Sequence, residues 1–510
     1  MSNLPSESDL NPLQTLLTQG NFDAASTAAH ELHHRFPQFV PVIKLGLQIA
    51  LRRNDGAAAT HYAKAWRTLP ALSATDAFNL GHALKGAELY RDSVLAYERA
   101  IQIGVSNPHE AYNNKGVIEA DFLLDAKTAA KSFTRAIALQ PDDIAAYLNR
   151  GNIYEEFGDF DAAIDNYETA VVHCHRPYEA LARLAHCIEI DSATHELFGR
   201  LHDAADDTKA TPFERESLLF ALGHKYDSLG DYSAAFDAFS RANKTGSALP
   251  YNRAAETAKF EAIKAAFPPS VFKLAPDTTG QDHGHKPIFI CGMFRSGSTL
   301  FEQIISGSGD VTACGEIGFF DALVRRPDFA LPRGQAIGSE ALAGWRKRYH
   351  ENPLINAVTT PFFTDKRPDN FLYLGLIKQM FPKAKIVVTQ RAARDNALSL
   401  FFTQFGDGQA YARDLEDIAH YQDLFTDLMA HWQACFGHDI VTADYDSFIA
   451  APEVEGQAIM DCLDLDFTPD CLAFHNRKNR VKTASYKQVR QKLYTSSSGR
   501  ADNYAFAFKD

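Results

Sequence analysis

A loop bracketed by two glycines is the part of the chain best suited to hold an anion. Residues 288–291 form a short apolar run typical of a buried parallel strand, Gly292 and Gly297 bracket the loop, and residues 299–305 have helical spacing. In such an arrangement the N–H groups of the loop and of the first helical turn point at the ligand, and the helix dipole adds its positive end. The loop residues that we expect at this ligand are Arg295, Ser296, Gly297, Ser298 and Thr299.

This loop departs from the nucleotide-binding P-loop at one position. The spacing Gly292-x4-Gly297 fits, but Ser298 stands where the P-loop has the lysine that reaches the β- and γ-phosphates. A cation stands earlier instead, at Arg295, beside the terminal group of a shorter ligand, and no persuasive strand ends in a magnesium-binding aspartate. An ATP-dependent P-loop kinase is therefore the less favoured alternative, and magnesium dependence would test it.

Two further groups of side chains suit the chemistry of a transferred anion. Arg391 and Ser399 lie eight residues apart, across the end of a strand pattern at residues 385–388 and the second turn of the next helix. One bidentate guanidinium and one hydroxyl form a sensible grip for a phosphate. Glu316 lies 21 residues after Arg295, and a carboxylate can take the proton from an attacking hydroxyl or amine. A structural or exposed glutamate is the alternative for Glu316.

The first half of the chain carries a repeat with a period of 35 residues. Each repeat has a glycine, an aromatic residue 16 or 17 positions later, and an alanine three positions beyond that. We expect the glycine to let two helices approach closely and the aromatic ring to fill the gap left by the next hairpin. A degenerate unit is expected near Cys187. The glycine and aromatic pairs are Gly46 and Tyr62, Gly81 and Tyr97, Gly116 and Phe133, Gly151 and Tyr167, and Gly223 and Phe239.

This pattern resembles the tetratricopeptide repeat (TPR), a helix-turn-helix unit of about 34 residues. It covers roughly residues 10–245, and its best-preserved unit begins at Ala145. Such arrays stack into superhelices whose concave face commonly holds a peptide or protein partner. The alternative is that the array only rigidifies or dimerises the protein, so a homodimer stays open.

The loop sequence from Phe294 to Thr299 resembles the 5′-phosphosulfate loop of the sulfotransferases, particularly the protein-tyrosine sulfotransferases and their bacterial repeat-fused relatives. Those relatives usually carry proline at the position of Phe294. Three more blocks follow in the family's order, namely VTACGEIGFF, TDKRPDNF through RAARDNALSLFF, and RVKTASYKQVRQKLYTSSSGRADNY. The resemblance implies transfer of a sulfuryl group from 3′-phosphoadenosine 5′-phosphosulfate (PAPS).

The resemblance also implies roles for individual residues. Arg295, Glu316 and Lys366 would be catalytic, with Glu316 as the base and Lys366 beside the transferring group. The family has two adjacent glutamates where this chain has Glu316 followed by Ile317, so the identity of the base stays open. No metal is expected, because fixed cations can hold a donor that carries less charge than a triphosphate. The implied donor-binding residues are Arg295, Ser296, Gly297, Ser298, Thr299, Arg391, Ser399, Tyr445, Ser485, Gln488 and Arg500.

The length and the motifs together predict two domains of different class. A chain of 510 residues is too long for one ordinary core, because domains usually hold about 100–200 residues. We predict an N-terminal all-α TPR superhelix at residues 1–250, a connecting helix and linker at 251–285, and a C-terminal α/β P-loop-like sulfotransferase domain with a central parallel sheet at 286–510.

Composition limits the partners and the compartment. The net charge of −13 disfavours nucleic acid as the main partner, and no stretch approaches the roughly 18 apolar residues that span a bilayer. The seven cysteines are odd in number and lack CxxC spacing, which favours the cytoplasm. The acceptor stays open among a peptide, lipid, polysaccharide or small metabolite. A TPR interaction scaffold with an inactive sulfotransferase-like domain is the remaining alternative.

Overall fold

The computed structural model describes residues 7–53, 55–69, 72–192, 194–246, 249–273, 284–326, 329–477, 480–481, 483, 487–495 and 497–508. The chain divides into two compact units. The first comprises Met1–Ile153 and Asp165–Pro177, and the second comprises Tyr154–Ile164 and Tyr178–Asp510. The domain boundaries at residues 250 and 285 stay a prediction.

Helical hairpins build the first unit. Asn21, Asp55 and Asp125 each accept a hydrogen bond from a backbone N–H three residues ahead, which fixes where the second helix of a hairpin begins. The last hairpin, α9 and α10, contributes residues to both units. The helices are α1 Asn11–Thr18, α2 Phe22–Arg35, α3 Val40–Arg52, α4 Gly56–Arg67, α5 Ala74–Gly86, α6 Tyr90–Gln102, α7 Pro108–Asp121, α8 Ala126–Leu139, α9 Ile144–Phe157 and α10 Phe160–His173.

The repeat glycines are sites of close helix packing. A Cβ built on Gly116 would lie 2.6 Å from the Phe133 ring, and one on Gly151 would lie 2.4 Å from the Tyr167 ring. Both rings are buried. Each ring lies against the glycine of its own hairpin, where only a residue without a side chain leaves room for it. Phe133 also belongs to one apolar cluster with Ile153 of the following hairpin, as the sequence analysis expected.

The second unit continues with helices before its sheet begins. Its hairpin of α13 and α14 repeats the glycine packing, since a Cβ on Gly223 would lie 2.6 Å from the Phe239 ring. A short, irregular pair, α11 and α12, occupies the place of the degenerate unit predicted near Cys187. Residues 274–283 of the predicted linker lie outside the described residues. The helices are α11 Tyr178–Cys187, α12 Glu196–Asp206, α13 Pro212–Ser228, α14 Tyr232–Thr245, α15 Arg253–Ala266 and α16 Pro269–Phe272.

A five-stranded parallel sheet forms the centre of the second unit, as the sequence predicted. The strand order is β2-β3-β1-β4-β5, and every neighbouring pair is parallel. The central strand β1 is buried from its second residue to its last, which explains its continuous apolar run. The strands are β1 Lys286–Gly292, β2 Val311–Ala313, β3 Phe362–Lys366, β4 Lys385–Gln390 and β5 Ile440–Asp444.

Helices connect and surround these strands. Phe301 and Ile304 of α17 pack into the same apolar core as Ile290 of β1 and Val387 of β4. Within the described part of the chain, no helix is long and apolar enough to cross a membrane. The helices are α17 Ser298–Ile305, α18 Phe319–Val324, α19 Ser339–His350, α20 Pro353–Asn356, α21 Leu374–Met380, α22 Ala393–Phe401, α23 Leu415–Phe436, α24 Tyr445–Ala450, α25 Pro452–Cys462 and α26 Pro469–Leu472.

Candidate active site

The predicted site residues gather at one edge of the sheet. Arg295 follows β1, Glu316 follows β2, Lys366 ends β3, Arg391 follows β4 and Tyr445 follows β5. Because all five strands are parallel, their carboxyl ends meet at this edge. From β1 the chain passes to β2 and β3 on one side of the sheet and then crosses to β4 and β5 on the other side. Strand β1 therefore lies at the switch point where open α/β sheets bind ligands.

The loop after β1 needs glycine at both of its ends. A Cβ on Gly292 would lie 2.4 Å from the Thr389 carbonyl oxygen, and one on Gly297 would lie 2.7 Å from the Tyr445 ring. Both glycines have positive φ angles, 149° and 97°. Arg295 also has a positive φ of 66°, a conformation that costs a non-glycine residue about 1–3 kcal/mol. The fold therefore holds this arginine in a strained backbone at the tip of the loop.

Hydrogen bonds beneath the loop fix its shape. The Ser296 hydroxyl donates to the Met293 carbonyl oxygen at 2.6 Å and lies 2.6 Å from the Thr389 hydroxyl. Gly297 is the residue before α17, and no side chain of the described residues caps this helix end. The first N–H groups of α17 are consequently left for a ligand. Ser298 and Thr299 are buried in that first turn, and the Thr299 hydroxyl donates to Thr483 at 3.2 Å.

Two guanidinium groups flank the loop. Arg295 Nε donates to the Ser399 hydroxyl at 3.0 Å, so Ser399 contacts Arg295 where the sequence analysis paired it with Arg391. Arg391 Nη2 donates to the Ser497 carbonyl oxygen, and its guanidinium lies 5.0 Å from the Tyr445 ring centroid. Arg391 Nε is buried and has no hydrogen-bond partner among the described residues. A buried N–H of this kind is costly unless a ligand oxygen accepts from it.

Positive charge accumulates around the loop after β1. Burial, and after it the charge of Arg391, lowers the pKa of Arg295 to about 10, and Arg500 acts in the same direction. Three guanidinium groups therefore lie within electrostatic range of one another. A bound polyanion would relieve their mutual repulsion.

A carboxylate and a lysine form a second cluster at the ends of β2 and β3. Lys366 is fully buried, and its Nζ donates to Glu316 Oε1 at 2.7 Å, while the Glu316 side chain is 37% exposed. The pair thus presents a solvent-accessible carboxylate that a buried ammonium group orients. An acceptor can reach this carboxylate from solvent.

Glu302 supports that pair, and the sequence analysis did not identify it. Its Oε1 accepts from the Thr364 hydroxyl at 2.7 Å and from the Gly315 N–H at 3.0 Å. Gly315 precedes Glu316, and Thr364 lies two residues before Lys366. Burial raises the pKa of Glu302. The sequence does carry one signal for Glu302, which is that it is a charged residue within the apolar face of α17.

A cleft lies beside the loop, with about 530 Å³ of empty space, part of it open to solvent. Phe474, Leu493 and Tyr494 supply an apolar wall. The predicted site residues that line the cleft are Arg295, Gly297, Thr299, Arg391, Tyr445 and Gln488.

Other predicted residues lie outside the cleft wall. Ser296 lies beneath the loop and Ser399 beneath Arg295, while Glu316 and Lys366 form their own cluster. Arg500 is paired with Asp227. The remaining predicted residues are Ser298, which is buried in α17, and Ser485, which lies outside the described residues.

Comparison with family models gives two matches. Residues 287–469 match the model described as the sulfotransferase family. Residues 132–165 match the model described as the tetratricopeptide repeat. The first match includes the loop, Glu316, Lys366, Arg391 and Tyr445.

Comparisons with whole proteins find similarity over parts of the chain. An uncharacterized protein of Aquifex aeolicus (strain VF5) is 31% identical over 303 residues, which are 56% of this chain and 39% of that protein. The chain thus spans about two fifths of this relative. The crystal structure of MamA is 22% identical with a TM-score of 0.28, and covers 32% of this chain and 93% of its own. For Pseudomonas aeruginosa PilF the identity is 12%, the TM-score 0.29, and the coverage 45% and 96%.

Proposed function

We propose that this chain, in which residues 287–469 match the sulfotransferase-family model and residues 132–165 match the tetratricopeptide-repeat model, transfers a sulfuryl group from PAPS to a hydroxyl or amine. The observation that carries the proposal is the convergence of Arg295 and Arg391 on one cleft beside the glycine-bracketed loop. A donor with a phosphosulfate at one end and a phosphate at the other fits a site with separate cations.

The donor would be held by fixed groups of this chain. Backbone N–H groups of the loop and of α17, together with Arg295, would bind the 5′-phosphosulfate. Arg391, whose buried Nε has no partner among the described residues, would donate hydrogen bonds to the 3′-phosphate. Tyr445 and Gln488, which line the cleft, would contact the nucleoside. The two arginines would neutralise the negative charge of the donor, as magnesium does for a triphosphate.

The transfer would be an in-line displacement at sulfur. The acceptor oxygen or nitrogen forms a bond to sulfur while the bond between sulfur and the 5′-phosphate oxygen breaks. 3′-Phosphoadenosine 5′-phosphate (PAP) leaves, and the acceptor proton passes to the Glu316 carboxylate. Lys366, 2.7 Å from that carboxylate, orients it and stabilises negative charge on the sulfuryl oxygens.

The proposal leaves the acceptor as a class: a hydroxyl or amine on a peptide, lipid, polysaccharide or small metabolite. A peptide or protein partner on the repeat array and action in the cytoplasm belong to the same proposal. The seven cysteines are all unpaired, which fits a reducing compartment.

Calorimetric titration with PAP in the absence of magnesium tests the donor site. Loss of the charged contact in Arg391→Ala should weaken PAP binding at least about tenfold. Arg348→Ala removes an exposed arginine of α19 and serves as the matched control, which should bind PAP as the wild type does. ATP is the ligand control.

Either of two results would overturn the proposal. If the wild type fails to bind PAP, the donor site does not exist. If it prefers ATP with magnesium, the kinase alternative replaces it. Binding of PAP without transfer to any acceptor in a screen with labelled PAPS would favour the inactive scaffold.

A further inference from the structure

Asp227, on the repeat helix α13, ties down the end of the chain that carries Arg500. Arg500 Nη2 donates to Asp227 Oδ2, and the Tyr504 hydroxyl donates to Asp227 Oδ1 at 2.6 Å. Arg500 and Tyr504 lie on one short 3-10 helix, Arg500–Ala507. A single carboxylate thus uses both oxygens to hold two side chains of this segment.

The backbone around Arg500 is held from the opposite side. Asp395 of α22 is buried and accepts from the Gly499 and Ala501 N–H groups, both at 2.7 Å. Asp395 therefore fixes the main chain on each side of Arg500, while Asp227 fixes its guanidinium. The two carboxylates leave Arg500 little freedom to reorient.

Helices with the repeat pattern also anchor the segment of the chain that precedes Arg500. Part of this segment lines the cleft. Arg480 Nε donates to Glu156 Oε2 at 2.6 Å, and Arg490 Nη2 donates to the Glu156 carbonyl oxygen at 2.9 Å. Lys487 Nζ donates to the His186 carbonyl oxygen at 3.1 Å. All these residues belong to the second compact unit. The cleft wall thus depends on helices whose sequence pattern is that of the repeat array.

Electrostatics explain why Arg500 needs a partner. It lies near Arg295, whose pKa it helps to lower, and like charges in a partly buried site repel one another. Asp227, whose side chain is 17% exposed, offsets part of this repulsion. Loss of Asp227 would leave this repulsion without its compensating charge.

We propose that Asp227 is a positioning residue that holds Arg500 for the 3′-phosphate end of the donor, which makes helix α13 a working part of the nucleotide site. The inference rests on the proposed function and adds to its donor-binding groups Arg500, which the family resemblance implies as a donor-binding residue. Asp227 touches no donor atom in this arrangement and acts through Arg500.

Calorimetry with two nucleotides separates positioning from general stability. In full-length Asp227→Asn, the affinity for PAP should fall about tenfold, since a charged partner of Arg500 is lost. The affinity for adenosine 5′-monophosphate, which lacks the 3′-phosphate, should not change. Asp203→Asn on the exposed face of α12 is the matched control and should behave as the wild type does with both nucleotides.

Two more variants keep the test decisive. Tyr504→Phe removes the second hydrogen bond to Asp227 and the contact of this hydroxyl with Arg500, but it keeps the ion pair between Arg500 and Asp227. It should therefore lower the Tm and leave PAP affinity within about twofold. Arg500→Ala should reproduce the loss specific to PAP, and adding Asp227→Asn to it should cause no further loss.

The outcomes are distinguishable. Unchanged PAP affinity in Asp227→Asn, or equal losses for both nucleotides, overturns the positioning role while the proposed function stands. Additive losses in the double variant also overturn it. Failure of the wild type to bind PAP removes the proposed function and this inference together.

Discussion

Asp365 is a buried acid at the end of β3, next to Lys366. It accepts hydrogen bonds from the Tyr349 hydroxyl and the Asn370 amide, both at 3.0 Å. Its side chain is inaccessible to solvent, and burial raises its pKa from the model-compound value of 3.8 to about 7. The folded protein therefore keeps a proton on Asp365 at pH values where the unfolded chain has released it.

This shift predicts the sign of a pH effect on stability. Between about pH 4 and pH 7 the folded state binds more protons at Asp365 than the unfolded state does, so the free energy of unfolding falls as the pH rises. Asp365→Asn removes this dependence. Its stability relative to the wild type should increase by about 2–3 kcal/mol from pH 5 to pH 8.

Urea unfolding of both proteins at the two pH values measures this difference. Asp310→Asn, at an exposed position just before β2, is the control and should show no comparable change. A difference between Asp365→Asn and the wild type that does not vary with pH would mean that Asp365 stays ionised in the folded protein.

At the scale of elements, the loop between β1 and α17 is the place where residue type determines backbone geometry most directly. Its glycines stand at the positions where a side chain would collide with Thr389 or Tyr445. Strand β4 and helix α24 therefore lie so close to the loop that only glycine fits at these two positions. The loop is therefore sensitive to small changes of volume.

Gly292→Ala should weaken donor binding by moving the loop. The added methyl group would lie 2.4 Å from the backbone oxygen of Thr389, which cannot move aside as a flexible side chain can. We expect PAP affinity to fall more than about tenfold and stability to fall by about 1–3 kcal/mol, measured by calorimetry and thermal unfolding.

Gly309→Ala is the matched control for backbone strain. Gly309 has a positive φ of 87°, as a loop glycine has, but its Cβ would meet nothing within 4 Å. This variant should lose about 1 kcal/mol of stability and keep its PAP affinity. Equal effects of the two substitutions on PAP binding would contradict the steric argument.

Elements encoded by local pattern could be predicted from the sequence, whereas contacts between distant residues could not. The apolar run at residues 288–291 lies within β1, and the run at 385–388 lies within β4. The pairing of Ser399 with Arg295 was missed because those residues are 104 positions apart. Asp227 and Arg500 are 273 positions apart, and neither local sequence indicates the other.

At the scale of the whole molecule, the same glycine-to-alanine substitution should affect donor binding in one compact unit and not in the other. Gly116 in α7 belongs to the first unit and Gly223 in α13 to the second. A methyl group on either would lie 2.6 Å from the ring of its own hairpin. The two positions thus form a natural pair for asking which unit supports the donor site.

Gly116→Ala and Gly223→Ala should each lower stability by about 1–3 kcal/mol through overpacking. Only Gly223→Ala should also weaken PAP binding, because α13 carries Asp227. Thermal unfolding and calorimetry on both variants measure the two effects. Equal PAP affinities in the two variants would show that distortion of α13 does not reach Arg500.

The separation of Asp227 from Arg500 has a consequence for biosynthesis. The two residues are 273 positions apart, a stretch that takes roughly 15–55 s to translate at about 5–20 residues per second. Throughout that interval α13 is already made while its arginine partner does not yet exist. A nucleotide therefore cannot use this contact to stabilise the nascent chain, and the contact can form only after the ribosome has added residue 500.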